Sequence, residues 1–233
     1  IAQRYQLVNA QADITTNRGD TGAFNVKTTI DFRYTGTNSP SIDSLKDWKA
    51  KEHGFHINGL GSFRSGANLF YSNLGLRYNG YGYGIQDSIL TLSDSGIVRK
   101  NTILDINPGI KSTLLSNKLV IDAGFKVSVD FANETRAYFF PAIYLQYAAA
   151  KNQVVPFISL SGQAKQSSLT GFYQENPFIL PNLSIQNEIN PYDIQLGIKG
   201  VVARKFSYGL VANFIKENNR AFFVTDTMIS TGN

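Results

Sequence analysis

The chain has 233 residues and a net charge of +5, with 12% aromatic residues and no cysteine. Without cysteine there is no disulfide scaffold and no thiolate metal centre, and Lys/Arg are interleaved with Asp/Glu instead of forming the basic stripe that tracks nucleic acid. No run approaches the roughly 18 consecutive apolar residues of a membrane-spanning helix, so a chain of this kind enters a bilayer only as strands.

In chain order, the first candidate strand lies around Tyr5 to Val8, where alternation is poor. From Ala23 to Tyr34 alternation is strict: Phe24, Val26, Thr28, Ile30, Phe32 and Tyr34 oppose Asn25, Lys27, Thr29, Asp31 and Arg33. Successive side chains of a strand point to opposite faces, so this pattern describes a ribbon with a different solvent on each side. It recurs over Gly54 to Arg64, Leu69 to Gly82, Lys100 to Ser112, Lys118 to Phe131, Arg136 to Ala148, Gln153 to Lys165, Tyr192 to Arg204, Ser207 to Glu217 and Arg220 to Thr227. Pro108, Pro141 and Pro156 fall inside these runs and cannot donate to a ladder, so bulges are expected there, with a break in the hairpin that carries Pro141 and Pro156.

The connections sort by parity with one exception, the short Ala132 to Thr135 on the long-loop side. Long loops at Thr35 to His53, Tyr83 to Arg99 and Gln166 to Pro191 fall on one end of an antiparallel meander, and short ones at Ser65-Gly66, Leu115 to Asn117, Lys151-Asn152 and Lys205-Phe206 fall on the other. Tyr and Phe gather near strand ends, as at Tyr138, Phe139 and Phe140. Asymmetric loops, aromatic ends and alternating strands together predict an all-β fold: a transmembrane antiparallel up-and-down β-barrel of about ten strands. No linker divides residues 1–233, which read as one barrel domain. The start at Ile1, without a secretory leader, and the loop-like Ile229 to Asn233 suggest a segment of a longer barrel.

A charge on the lipid face costs roughly 2–4 kcal/mol near the midplane. The charged set Lys27, Asp31, Arg33, Arg77, Asp105, Lys111, Asp122, Lys126, Asp130, Lys165, Asp193 and Lys199 is therefore expected to face the lumen. The alternate set Phe24, Val26, Ile30, Leu104, Ile106, Leu119, Ile121, Phe125, Val127, Val129, Ile194, Leu196 and Ile198 is expected to face lipid. Catalytic chemistry has little to draw on: the only histidines are His53 and His56, with Asp47 and Glu52 nearby, and a solvated rim is the plainer reading. Glycine-rich Tyr78 to Gly84 has no helix pattern after it to make a phosphate cradle and reads as a strand end. Ser41 to Lys49 has the makings of a helical turn from Asp43 or Ser44, with Trp48 against Leu45.

The segment Gly171 to Leu183, followed by Asn190-Pro191-Tyr192-Asp193 and the strand Ile194 to Gly200, resembles a loop-then-strand pattern of outer-membrane barrels of Bacteroidota, TonB-dependent-receptor-like proteins without a visible plug. The resemblance implies an outer-membrane address in a Gram-negative bacterium and a longer parent protein; no binding residues carry over. The functional expectation is a scaffold or accessory subunit of an outer-membrane assembly, or a passive porin-like pore. Its surroundings are outer-membrane lipid and other subunits of an outer-membrane complex, with no enzyme activity, metal or cofactor. The rivals are an outer-membrane hydrolase with a rim site near His53 and His56, and a soluble all-β ligand-binding protein.

Overall fold

A computed structural model describes residues 4–16, 24–39, 48–85, 100–132, 134–150, 153–176, 185–202 and 206–222. Ten strands form one sheet: β1 Arg4–Thr15, β2 Phe24–Ser39, β3 Trp48–Ser65, β4 Asn68–Ile85, β5 Lys100–Leu114, β6 Leu119–Asp130, β7 Arg136–Tyr147, β8 Val155–Lys165, β9 Glu188–Val202 and β10 Phe206–Asn218. One helix, α1 Leu169–Glu175, lies between β8 and β9. Each strand pairs antiparallel with its sequence neighbours, in the order β1 to β10. The fold is thus all-β and up-and-down, and among the described residues no pairing joins β1 to β10.

The ten strands are not the ten expected. Arg4–Thr15 is a full strand paired with β2 from Arg4↔Asn38 to Thr15↔Lys27, although its pattern is blurred by Ala10 and Ala12, small residues that mark neither face. Arg220 to Phe222 is not strand, Phe223 to Thr227 and residues 41–47 of the expected helical turn lie outside the described residues, and Trp48 and Lys49 of that turn belong to β3. Among the described turns, Gly66 lies at φ 58° between β3 and β4, the left-handed region that glycine enters without Cβ strain.

The prolines meet expectation in part: the bulges expected at them are absent, but the ladder of the hairpin that carries Pro141 and Pro156 is broken as expected. Register is unshifted at Pro108, where pairing between β5 and β6 lapses from Ile106↔Val127 to Gly109↔Gly124. The β7–β8 ladder runs only from Ala142↔Ser161 to Gln146↔Phe157, so Pro141 and Pro156 bracket it. A missing N–H removes a rung without adding a residue, so each proline interrupts the ladder on one side without bulging it, while Pro108↔Ser72, Pro141↔Phe125 and Pro156↔Ile198 stay in register on the other. The register shift occurs between Ser161 and Gln163, against β9.

The faces are inverted relative to a water-soluble sheet. Leu74 is 54% exposed, Phe139 69% and Leu210 71%, while Asn101 and Ser128 are fully buried and Asp105 is 8% exposed. The sheet curls around this polar side: the Arg77 guanidinium on β4 donates to the Ala164 carbonyl on β8 at 2.9 Å. Strands four apart would stand about 19 Å from each other in a flat sheet. Inside the curl, Ile103, Phe140, Ala164 and Ile189 form a small buried cluster with Tyr138 against it.

Candidate functional site

Register assigns the faces residue by residue. Lys27, Asp31, Arg33, Arg77, Asp105, Lys111, Asp122, Lys126, Asp130, Asp193 and Lys199 occupy inner positions, linked by pairs such as Asp31↔His56, Lys111↔Asp122 and Ser161↔Asp193. Lys165 departs from expectation. The bulge after Ser161 turns Ala164 into the inner cluster and puts Lys165 on the opposite side, 60% exposed, with its ammonium 3.6 Å from Glu188. Phe24, Val26, Ile30, Leu104, Ile106, Leu119, Ile121, Phe125, Val127, Val129, Ile194, Leu196 and Ile198 take the outer positions of β2, β5, β6 and β9. Among the described residues, every charged outer position lies at the long-loop end.

At the centre of the inner wall, three strands converge on Asp105. Arg77 donates to its Oδ2 at 2.5 Å, Ser128 donates to Oδ1, and the Lys126 ammonium stands 3.5 Å away. One carboxylate between two cations and a hydroxyl satisfies its lone pairs and cross-links β4, β5 and β6. Toward the short-turn end, Tyr71 lies across Gly109, where a side chain would collide with its ring, and donates to Asp122 at 2.6 Å.

The described parts of the β8–β9 connection, residues 166–176 and 185–187, fold into the mouth of this wall. Gln166 donates to the backbone carbonyls of Arg77 and Asn101, and Asn101 and Asn187 exchange two amide hydrogen bonds of 2.6 and 2.9 Å. Ser168 caps α1 by accepting from Gly171 N–H, and the helix presses Leu169 and Tyr173 against Ala50, Tyr81 and Ile185. Polar contacts fix its start: Thr170 N–H donates to Glu52 Oε2 at 3.0 Å, and the Thr35 and Thr170 hydroxyls are 2.6 Å apart.

Glu52 lies beyond the apolar band of β3, whose outer positions change from Phe55 to His53 and Lys51. Its burial pushes the carboxyl above the usual carboxylate range, against the pull of the amides of Thr170 and Leu169. This helix was not foreseen, and the signal available was faint: Ser168 ahead of Leu169, Phe172 and Tyr173, within a loop otherwise rich in Gln, Ser and Asn.

His53 and His56 do not share a site. Three residues apart on β3, they fall on opposite faces: the His53 ring lies tilted against Tyr34 with centroids 5.1 Å apart, while His56 Nδ1 faces Asp31 at 3.8 Å. Two rings on opposite sides of a sheet cannot converge on one substrate. No family model matches the chain, and no curated protein matches it.

Proposed function

We propose that the chain forms the wall of an integral outer-membrane β-barrel of a Gram-negative bacterium and acts as a scaffold or accessory subunit of an outer-membrane assembly, its lumen obstructed. The observation that carries the membrane reading is the inverted sheet: across ten strands, charge at outer positions is confined to the long-loop end, while Asp105, Asp130 and Ser128 are buried on the other face. In water that outer surface would be one continuous apolar patch; in lipid it is the expected exterior. Leu119 to Phe131 rises about 30 Å at a strand tilt near 45°, the thickness of the hydrocarbon layer. The resemblance of Gly171 to Gly200 to Bacteroidota barrels agrees with this address.

Scaffold is favoured over passive pore because α1 and the segment at Gln166 to Ser168 are stitched to β2, β3, β4 and β5 through the interior. The test has two parts. Single cysteines replacing Val127 and Lys126 are labelled with an environment-sensitive dye in vesicles containing lipid-borne quencher; quenching at Val127 alone is expected, and a chain that stays soluble and monomeric without detergent overturns the membrane reading. In planar bilayers the scaffold reading expects silence or rare small steps, whereas large stable open steps return the function to a passive pore.

A further inference from the structure

The outer face of β2, β3 and β4 carries a small polar arrangement that nothing above uses. Where the apolar band ends at Phe32, Phe55 and Tyr78, the next row is Tyr34, His53 and Gly80, and the row beyond is Gly36, Lys51 and Gly82. Lys51 and His53 are exposed. Lys51 stands between two glycines: the Tyr34 phenol reaches over Gly36 on one flank, and on the other a methyl at Gly82 would meet only Lys51 itself, at 4.0 Å. The two tyrosines lie along their strands toward the long-loop end. A methyl at Gly36 would meet the Tyr34 hydroxyl at 3.0 Å, and one at Gly80 the Tyr78 hydroxyl at 2.8 Å. The glycines are thus the floor over which the phenols reach up, each bringing its hydroxyl to the row of a basic side chain. No outer position on these three strands holds a carboxylate, and Glu52 belongs to the inner face.

We infer that this glycine-floored recess binds the anionic headgroup of a membrane lipid in the leaflet at the long-loop end, with Lys51 pairing the headgroup phosphate and the Tyr34 and Tyr78 hydroxyls donating to its oxygens. The inference rests on the membrane reading above. Lipid fits better than a free anion because the recess is continuous with the apolar band: a molecule seated here places its acyl chains along Phe55 and Phe32 while its phosphate reaches Lys51. A cation at this depth also gains from the negative surface potential of an anionic leaflet.

The test uses the full chain purified in detergent, with native mass spectrometry reading the first binding of phosphatidylglycerol, phosphatidylcholine or inorganic phosphate. The chain is expected to prefer phosphatidylglycerol. Lys51→Ala should lower that binding about fivefold with phosphatidylcholine unchanged, while Lys118→Ala, in the turn at the opposite end, should leave it intact. Tyr78→Phe and Gly80→Ala should each lower it severalfold by removing or displacing the same hydroxyl. Unaltered binding in Lys51→Ala, an equal loss in Lys118→Ala, or full competition by inorganic phosphate at equal concentration overturns the site. Insertion into neutral phosphatidylcholine vesicles is measured separately: a chain that inserts but shows no anionic preference loses this site alone, and one that does not insert loses the membrane reading as well.

Discussion

Ala123→Arg puts the inverted sheet to a quantitative test. Ala123 sits beside the midpoint of the outer row of β6, which runs Leu119, Ile121, Ala123, Phe125, Val127 and Val129, and its outer neighbours across the ladder are Ile110 and Ile143. Replacing alanine removes only one methyl, so almost the whole effect is the charge. In a bilayer an arginine near the midplane of a barrel exterior costs about 2–4 kcal/mol; on a water-exposed surface the same change stays within about 0.5 kcal/mol. Val120→Arg is the matched control, since Val120 shares the strand but takes an inner position between Thr113 and Gln146. It should cost well under half as much. The assay is reversible urea unfolding of the chain inserted in vesicles, followed by the fluorescence of Trp48, the only tryptophan. An Ala123→Arg midpoint indistinguishable from the parent, or equal losses in both variants, would refute the assignment of faces.

Three further outcomes follow from the interior. Arg77→Met removes both the bond to Asp105 and the bond to the Ala164 carbonyl; because Asp105 keeps Lys126 and Ser128, the loss should be about 2 kcal/mol, below the ~3–5 kcal/mol of a stranded buried charge, and a double-mutant cycle with Asp105→Asn that proves additive would deny the coupling. Leu169→Ala empties a fully buried position under α1, at a local cost of about 2–5 kcal/mol, and should convert a silent bilayer recording into one with open steps; continued silence would mean α1 is not what obstructs the lumen. Glu52 is held above the ordinary carboxylate range by burial, so its neutral form is the one the fold favours. The seat of α1 is therefore most stable below that range and weakens as pH rises through the raised value. Amide exchange of Thr170 should show that trend and lose it in Glu52→Gln, and an unchanged trend in the variant assigns it to another group.

Much of this fold is legible because a sheet whose two faces differ in polarity writes itself with period two. Phe24 to Tyr34 and Leu119 to Phe131 reveal both strand and face, and loop parity supplies the antiparallel order. Legibility fails where the period is interrupted by something local. At Ser161 to Gln163 one extra residue reverses the alternation, and nothing in Ser161-Gly162-Gln163-Ala164-Lys165 announces it, since Gly162 reads equally as a small inward residue. The interior was less legible than the wall. Asp105, Arg77 and Lys126 are recognisable one by one as inner positions, but that they meet depends on a register set by turns far along the chain. Helix α1 is hidden for another reason: seven residues carry too little periodicity to be seen, and their position depends on Glu52 and Thr35 from strands more than a hundred residues away.

The two edges of the sheet, unpaired among the described residues, sharpen the same physics. β1 spans twelve residues and β10 thirteen, and an edge strand leaves about every second backbone N–H and C=O without a partner. In hydrocarbon each such group costs several kcal/mol, so an outer face suited to lipid makes pairing of both edges obligatory. In water the edges could be hydrated, but the apolar exterior then becomes the liability. Direction permits the first solution: strands alternate along the sheet, so β1 and β10 run antiparallel to each other and can pair directly or through further antiparallel strands. On the membrane reading proposed above, a closed wall in lipid would satisfy face and edges together, and the Arg77 bond to the Ala164 carbonyl, which joins β4 to β8 across the inner face, already draws the sheet round in that direction.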